Sequence, residues 1–208
     1  MKKIIYFVRH GESEANVSTQ ARSINPLTEK GIEQARILGE RFKNIKIEKL
    51  IETSKKRSKQ TAEAISLATS IPVTENDLFI EREGEFEAMF EHKHLGVREL
   101  TEIMKKKLNK EHWEYAKQEL WDVLIERVKQ AAAYLENLPE NTIAIVTHGA
   151  FLKVLVAYLI FKDALTEEQT VMFMAGTGTT NTGITVCKFY GDLHTWRLIT
   201  WNDGSHLE

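Results

Sequence analysis

Two histidines of the sequence each follow an apolar run rich in β-branched residues and precede a glycine. His10 stands between Arg9 and Gly11, and His148 precedes Gly149. A histidine that is neutral, oriented and close to a bound electrophile can act as a nucleophile. The guanidinium of Arg9 is a planar, permanent cation suited to phosphate, and Gly11 lets the backbone approach a ligand closely. The pattern predicts chemistry on a phosphoryl group, whereas a surface loop with ordinary charges is the alternative interpretation.

A third polar segment, residues 53–62, lies at a predicted strand-to-helix junction. Arg57 would stand in the first turn of that helix, where free backbone N–H groups favour anions. The alternative is a solvated basic face, which is usual for a run of lysines such as Lys55 and Lys56. Arg57 alone is weak evidence for a phosphate site, and it becomes stronger evidence in combination with the two histidine segments.

Apolar periodicity and turn-forming residues predict the elements that would position these segments. The predicted strands are residues 3–8, 49–53, 71–73, 78–80, 142–147, 171–174, 183–190 and 195–201. The predicted helices are residues 29–43, 55–68, 97–109, 115–138 and 150–161, with Thr28 and Ser54 as N-caps of the first two.

Strands and helices alternate along most of the chain, which predicts an α/β fold. We expect a three-layer αβα sandwich with a mostly parallel central sheet. Ligands bind at the carboxyl ends of the strands in such sheets, so His10 and His148 are expected at one edge. The 208 residues suit a single domain, 1–208, with a small helical cap inserted at about 84–115.

The composition argues against several other classes of protein. Hydrophobic residues make up 42% of the chain and charged residues 28%, as in a soluble globular protein. The net charge of -2 gives no support for nucleic-acid binding or for a basic membrane-binding patch. No apolar stretch approaches the roughly 20 residues of a spanning helix. The lone Cys187 forms no disulfide within the chain, so we expect a cytoplasmic protein.

Taken in order, these segments resemble the histidine phosphatase superfamily, also called the phosphoglycerate mutase-like family, and its phosphatase branch. The Arg-His-Gly-Glu signature stands at residues 9–12 with Asn16 at the family's spacing, and the late His-Gly motif at 147–149. Further matches are Leu27-Thr28, Gly31, Gln34-Ala35, Arg57, Gln60-Thr61-Ala62, Asn202-Asp203 and His206-Leu207. Because the matches run from residue 6 to residue 207, they are much more specific than any single motif.

The resemblance implies a phosphoric monoester hydrolase in which His10 is the nucleophile and forms a phosphohistidine. It also implies that Arg9, Arg57 and a protonated His148 hold the phosphoryl oxygens, with Asn16 assisting. Phosphoryl transfer depends on positioning and on neutralising these oxygens, so the set makes chemical sense without a metal or a cofactor. The expected partner is a small phosphorylated metabolite.

The proton donor to the leaving oxygen is expected after the third strand, where the family places a carboxylate. Glu81 is favoured because it directly follows an apolar run, and Glu83 is the alternative. The sequence departs from the commonest family pattern at this point, in the spacing of its glycine and in lacking the Trp-Glu-Gly beyond. Glu12 is expected to orient a ring or an arginine, and Ser13 to contact phosphate or to cap the turn.

Three other interpretations stay open. A cofactor-dependent phosphoglycerate mutase shares the core motifs but carries a longer insertion and a Glu-Arg-His-Tyr-Gly segment, where residues 81–85 here lack the His-Tyr pair. A catalytically inactive module that binds phosphoryl ligands is disfavoured by the intact set of site residues. A metal site at His92, His94 and His112 is disfavoured because zinc needs three or four supported ligands.

The open sheet edge and residues 154–161 are candidates for a homodimer contact.

Overall fold

The computed structural model of the chain describes residues 2–17, 25–82, 119 and 121–208. Within them, six strands form one sheet with the order β3-β2-β4-β1-β5-β6. The strands are β1 (Lys2–Arg9), β2 (Lys49–Glu52), β3 (Val73–Glu75), β4 (Thr142–Thr147), β5 (Ile184–Tyr190) and β6 (Thr195–Asp203). β3, β2, β4 and β1 pair in parallel, whereas β5 is antiparallel to β1 and β6. The mostly parallel sheet predicted from the sequence is confirmed.

Helices cover both faces of this sheet. They are α1 (Glu14–Val17), α2 (Glu29–Phe42), α3 (Lys56–Thr69), α4 (Trp121–Asn137), α5 (Gly149–Phe161) and α6 (Glu167–Gly176). Alternate residues of β4 enter two separate apolar clusters: Ile143 and Ile145 join one with α4, α5 and α6, and Ala144 and Val146 join the other with α2 and α3. Burial of both faces explains why the central strands are continuous apolar runs rather than alternating ones.

Helix α2 begins where the sequence predicts. Thr28 is its N-cap, and the Thr28 hydroxyl accepts the Gly31 N–H at 3.0 Å. Satisfying one of the free N–H groups of the first turn stabilises a helix by about 1 kcal/mol. Glu29 in the same turn adds a favourable interaction with the positive end of the helix dipole.

The segment at 171–174 was expected as a strand and is instead part of α6. The start of α6 is fixed by a capping box, in which the Thr166 hydroxyl accepts the Gln169 N–H at 3.2 Å and the Gln169 side chain accepts the Thr166 N–H at 2.9 Å. The apolar residues that suggested a strand include Val171 and Met174, which pack into the core from the helix. Local β propensity is weaker than a well-formed helix start with a buried face.

The segment at 78–80 also differs from the prediction. A 3₁₀ turn that starts at Asp77 replaces the expected strand, because the Asn76 side-chain oxygen accepts a backbone N–H two residues on. Ser54 is not the N-cap of α3: Lys55 takes that position without a side-chain cap, and the Ser54 N–H donates to the Asp77 carboxylate at 2.8 Å. Both differences come from side-chain oxygens of this turn binding backbone N–H groups.

Several sequence-based predictions fall outside the described residues. These are the cap at about 84–115, the helix at 97–109, Glu83, and the histidines His92, His94 and His112. Within the described ranges, no helix combines the length and the apolar character needed to cross a membrane. Helix α5, the most apolar of the helices described above, is 13 residues long and packs against the sheet along most of its length.

Candidate functional site

Three neighbouring strands, β2, β4 and β1, end at the same edge of the sheet and place polar side chains there. Thr53 follows β2, His148 follows β4 and His10 follows β1. The ring centroids of His10 and His148 are 5.2 Å apart, and both residues are fully buried. The His10 N–H donates to the Thr147 carbonyl at 3.0 Å, which joins the two strand ends directly. The structure brings together the two histidines that the sequence predicted to share an edge.

The hydrogen bonds of the His10 ring define which nitrogen carries the proton. Nδ1 lies 2.7 Å from the Gly11 carbonyl oxygen, and Nε2 lies 2.9 Å from Nε of Arg57. A carbonyl only accepts a hydrogen bond and a guanidinium only donates one. The proton is therefore on Nδ1 and the lone pair on Nε2, which gives a neutral imidazole with its unprotonated nitrogen beside a cation.

Two arginines give this edge of the sheet its positive charge. Arg9 and Arg57 are each only 5% exposed, and Nη1 of Arg9 donates to the Thr179 carbonyl at 2.7 Å. The amino end of α5 begins directly after His148 and adds the positive end of its helix dipole. Cations act more strongly where water is excluded, so the site favours a small anion such as phosphate.

The surroundings of the His148 ring disfavour its protonated form. Burial, and next the positive charge of Arg57, hold the pKa of His148 well below its usual value. Its Nε2 lies 2.8 Å from the Thr53 hydroxyl, and its buried Nδ1 has no hydrogen-bond partner among the described residues. These surroundings favour the neutral ring, and Nδ1 is the nitrogen that a ligand could approach.

We expect a bound dianion to reverse this, because a negative charge beside His148 raises its pKa. Sulfate is a suitable probe, since its charge stays constant from about pH 5.5 to about pH 8 while histidines titrate. The free ring is neutral and the bound ring is charged, so one proton is taken up on binding. Sulfate affinity should then rise as the pH falls, by up to about tenfold per unit, until the depressed pKa of the free ring is reached. Calorimetry in two buffers of different ionisation enthalpy measures the uptake.

The matched variant is His148→Gln, which keeps a polar side chain beside Thr53 but cannot take up a proton. We expect its sulfate affinity to be lower and its proton uptake to be smaller by the contribution of His148. An unchanged pH slope in His148→Gln would assign the proton to another group and contradict the prediction.

Glu81 lies at the amino end of α5, close to His148. The residue is 6% exposed, and its Oε1 accepts the N–H groups of Phe151 and Arg82, both at 2.9 Å. Its Oε2 accepts the Ala150 N–H at the longer distance of 3.3 Å. Backbone donors and the helix dipole stabilise the ionised carboxylate, most strongly at Oε1. The structure thus places the Glu81 carboxylate against the first turn of the helix that follows His148. Glu83 lies outside the described residues.

Asn16 and Ser13 form a small network beneath the loop that carries His10. The Asn16 side-chain oxygen accepts the Ser13 N–H at 2.9 Å, the Ser13 hydroxyl at 3.1 Å and the Asn181 amide at 3.3 Å. The Asn181 amide also donates to the His10 carbonyl at 3.0 Å. Of the two roles expected for Ser13, this network favours capping of the turn. Asn16 contributes at least by fixing the loop.

Glu12 faces helix α2. Its carboxylate accepts hydrogen bonds from the Thr28 hydroxyl at 3.0 Å and from Lys30 at 2.8 Å, and the Lys30 hydrogen bond holds the pKa of Glu12 below its usual value. These contacts tie the loop to the start of α2. They differ from the expectation that Glu12 orients a ring or an arginine.

Sequence reasoning missed other residues, which bind the backbone of the segment that carries His10. The Thr61 hydroxyl accepts the Gly11 N–H at 3.0 Å, and the Thr182 N–H donates to the Arg9 carbonyl at 2.9 Å. Thr182 has a φ of 58°, which is strained for a β-branched residue and is often found near functional sites. Thr61 had one sequence signal, its place in the Gln-Thr-Ala match, whereas Thr182 had none.

Lys153, on α5, is a buried amine near the same site. It is 7% exposed, and its Nζ donates to the Met174 carbonyl at 3.0 Å. Burial lowers the pKa of Lys153 to about 8, with Arg9 acting in the same direction and Glu81 in the opposite one. Lys153 therefore lies within electrostatic range of both Arg9 and Glu81 and adds positive charge to this region.

A metal site was one of the alternative interpretations of the sequence. Across residues 2–17, 25–82, 119 and 121–208, no three His, Cys, Asp or Glu side chains form a group that would hold a metal ion. The three histidines proposed for such a site, His92, His94 and His112, lie outside these ranges.

Comparison with known proteins adds independent observations. A family model described as histidine phosphatase superfamily (branch 1) matches residues 5–204. A curated relative named "Probable phosphoglycerate mutase GpmB", from Photorhabdus laumondii, is 30% identical over 179 residues, covering 79% of this chain and 78% of the relative. Bacillus stearothermophilus YhfR superposes with a TM-score of 0.76 at 26% identity, covering 99% of this chain and 100% of that one. The alpha-ribazole phosphatase from Shigella flexneri shares the fold, with a TM-score of 0.71 at 23% identity and 96% of each chain covered.

Proposed function

This chain belongs to the histidine phosphatase superfamily (branch 1), and from that membership we propose that it is a metal-independent phosphomonoesterase that forms a phosphohistidine on His10. The observation that carries the proposal is the state of the His10 ring. Its Nδ1 proton is held by the Gly11 carbonyl, and its Nε2 lone pair lies beside the Arg57 guanidinium. A cation that attracts a phosphoryl group and an unprotonated nitrogen that can act as the nucleophile thus meet at one point.

The proposed reaction has two steps. In the first, Nε2 of His10 forms a bond to phosphorus, the bond from phosphorus to the leaving oxygen breaks, and a protonated Glu81 gives its proton to that oxygen. Arg9, Arg57 and His148 neutralise the charge on the three non-bridging oxygens. In the second step, water attacks phosphorus and gives a proton to Glu81 while the bond from nitrogen to phosphorus breaks. Inorganic phosphate leaves, and His10 returns to its neutral form.

Glu81 has to be protonated when the first step begins, although three backbone N–H groups stabilise its anion. The arriving phosphoryl group brings two negative charges close to the carboxylate, and a like charge disfavours ionisation. The proton would then sit on Oε2, because its contact with the Ala150 N–H, at 3.3 Å, is longer than the two 2.9 Å hydrogen bonds that Oε1 accepts. Substrate binding itself would in this way prepare the proton donor.

Independence from metal is proposed on the basis of the charges that the chain itself supplies. Metal ions in other phosphoryl-transfer enzymes neutralise the equatorial oxygens. Here Arg9 and Arg57 carry two permanent charges, the amino end of α5 contributes the positive end of its helix dipole, and His148 would take up a proton with the ligand. These groups are sufficient for a phosphoryl dianion without a further cation.

The proposed substrate is a small phosphorylated metabolite. His10 and His148 are fully buried, so the phosphoryl group has to reach below the protein surface. This favours a substrate whose alcohol portion is narrow. The Shigella flexneri phosphatase of the same fold is named for alpha-ribazole, and another structural neighbour is a mycobacterial glucosyl-3-phosphoglycerate phosphatase. These names support a phosphorylated small molecule as the class to screen first.

A second candidate function is phosphoglycerate mutase, which the name of the curated relatives favours. A mutase returns the phosphoryl group from histidine to the substrate, whereas a phosphatase gives it to water. Incubating the protein with 3-phosphoglycerate and a small amount of 2,3-bisphosphoglycerate separates the two. Formation of 2-phosphoglycerate faster than release of inorganic phosphate would establish the mutase.

The phosphoenzyme is the direct test of the proposed chemistry. We expect brief incubation with a ³²P-labelled phosphomonoester in the presence of EDTA, followed by an alkaline quench, to label the protein. The label should be stable in base and lost in acid, as expected for a phosphorus–nitrogen bond, and should map to the peptide containing His10. Activity that disappears with EDTA, or a label that survives acid, would contradict the proposal.

A further inference from the structure

Arg127, on helix α4, makes an unusually complete set of contacts. Its Nη1 donates to the carbonyl oxygens of Leu78 and Ile80 at 3.1 and 2.8 Å. Its Nε and Nη2 form a bidentate ion pair with the Glu119 carboxylate, at 2.8 and 2.6 Å. The guanidinium carbon lies 4.4 Å from the centre of the Phe151 ring. One planar cation thus uses three of its nitrogens and one of its faces.

The residues that Arg127 contacts lie next to Glu81 in the chain or bind its carboxylate. The carbonyls of Leu78 and Ile80 belong to the three residues that immediately precede Glu81, and the N–H of Phe151 donates to Oε1 of Glu81. Arg127 therefore fixes the approach of the chain to Glu81 from one side and packs on the residue that binds its carboxylate from the other. A shift of the guanidinium would move both.

Glu119 holds Arg127 in place. The side chains of Arg127 and Glu119 are 16% and 12% exposed, so the pair is largely shielded and interacts more strongly than an ion pair in open water. The Glu119 carbonyl also accepts a hydrogen bond from Arg82, the residue after Glu81, at 3.2 Å. Residues on both sides of Glu81 are in this way tied to the same two partners.

We propose that Arg127, oriented by Glu119, is a positioning residue for Glu81: it sets the carboxylate where it can protonate the leaving oxygen. The proposal rests on the proposed function, because it assigns a support to the proton donor of that reaction. A proton donor acts only within hydrogen-bond reach, and a misplacement of about 1 Å can cost a hundredfold in rate. Arg127 itself makes no contact with the reacting atoms in this mechanism.

The dependence on the leaving group tests this role. A p-nitrophenolate leaves readily without a proton, whereas an alkoxide leaves only if it is protonated. For Arg127→Lys, we expect kcat/KM to fall by about tenfold to a hundredfold with an alkyl phosphate and by less than about threefold with p-nitrophenyl phosphate. Lysine keeps the charge but cannot reproduce the bidentate pair together with two carbonyl contacts. Glu119→Gln should act in the same direction with a smaller effect, and it serves as the second variant if Arg127→Lys folds poorly.

Arg36→Gln is the matched control, because it removes an arginine from an exposed pair with Glu33 on α2, at 2.7 Å. It should leave both substrates unaffected. An equal loss on both substrates in the Arg127 and Glu119 variants would show a role in folding only, and no loss on either would show no role; both overturn the proposal. Failure of the proposed function is distinguishable, since the wild-type protein would then form no acid-labile phosphoenzyme on His10.

Discussion

Replacing His10 with alanine is expected to abolish turnover of every phosphomonoester, by about a thousandfold or more, because the variant has no atom that accepts the phosphoryl group. Arg9, Arg57 and His148 stay in place, so the variant should still bind sulfate. Phosphate release under EDTA measures the first effect, and calorimetry with sulfate measures the second. Loss of turnover with retained anion binding assigns His10 to the chemical step rather than to binding.

The control for this experiment is another histidine. His194 lies in the turn between β5 and β6, at the opposite end of β5 from the site, and its side chain is 79% exposed. His194→Ala should keep full activity. Substantial turnover in His10→Ala, or incorporation of acid-labile phosphate into that variant, would move the nucleophile to another residue.

Gly31→Ala is expected to destabilise the protein by about 2–4 kcal/mol, although alanine is the better helix former by about 1 kcal/mol. A Cβ on Gly31 would lie 1.9 Å from the Glu12 carbonyl oxygen, and a Cβ on Gly11 would lie 2.6 Å from the Gly31 carbonyl oxygen. The obstacle is backbone, which cannot rotate away as a side chain can. The Glu12 carbonyl is moreover held by the Thr28 N–H at 2.9 Å.

The same displacement should lower activity, because the loop pushed away by the new methyl group carries His10. Urea unfolding measures the loss of stability, and kcat/KM for p-nitrophenyl phosphate measures the loss of activity. Gly176→Ala is the matched variant: it also replaces a helical glycine, at the end of α6, but its Cβ would meet nothing within 4 Å. We expect Gly176→Ala to be neutral or slightly stabilising. Equal stability of Gly31→Ala and the wild-type protein would show that the contact with Glu12 is not a constraint.

The sequence by itself predicted the elements that carry the site. The runs that became β1 and β4 are apolar on both faces. A short run of this kind is typical of a strand in the middle of a sheet that is covered on both sides. The positions of His10 and His148 followed from this, because parallel strands end at one edge of the sheet. Arg57 followed from the strand-to-helix junction before it. These inferences succeeded because they depend on local periodicity and on a general rule of sheet geometry.

Short segments were predicted less well, for a physical reason. Residues 171–174 and 78–80 have strand-like composition but are too short for periodicity to distinguish a strand from a helix. The outcome depended on the oxygens of Thr166 and Asn76, which bind particular backbone N–H groups and start helical turns. Ser54 has the same chemistry as these caps, yet its N–H is taken by Asp77 and α3 starts after Lys55.

The charge states and supports of the site were decided only by the tertiary structure. His148 was expected to be protonated from its role, but burial and the nearby Arg57 lower its pKa, and burial is a property of the packed fold. Glu81 was expected as the proton donor from its place after an apolar run, and only the fold shows its carboxylate at the amino end of α5. Arg127 gave no sequence signal, because the two acceptors that link it to Glu81 are backbone carbonyls, which every residue has, and they stand 49 and 47 residues away in the chain. Sequence periodicity determines which residues reach the site, whereas desolvation and contacts between distant segments determine their charge and orientation.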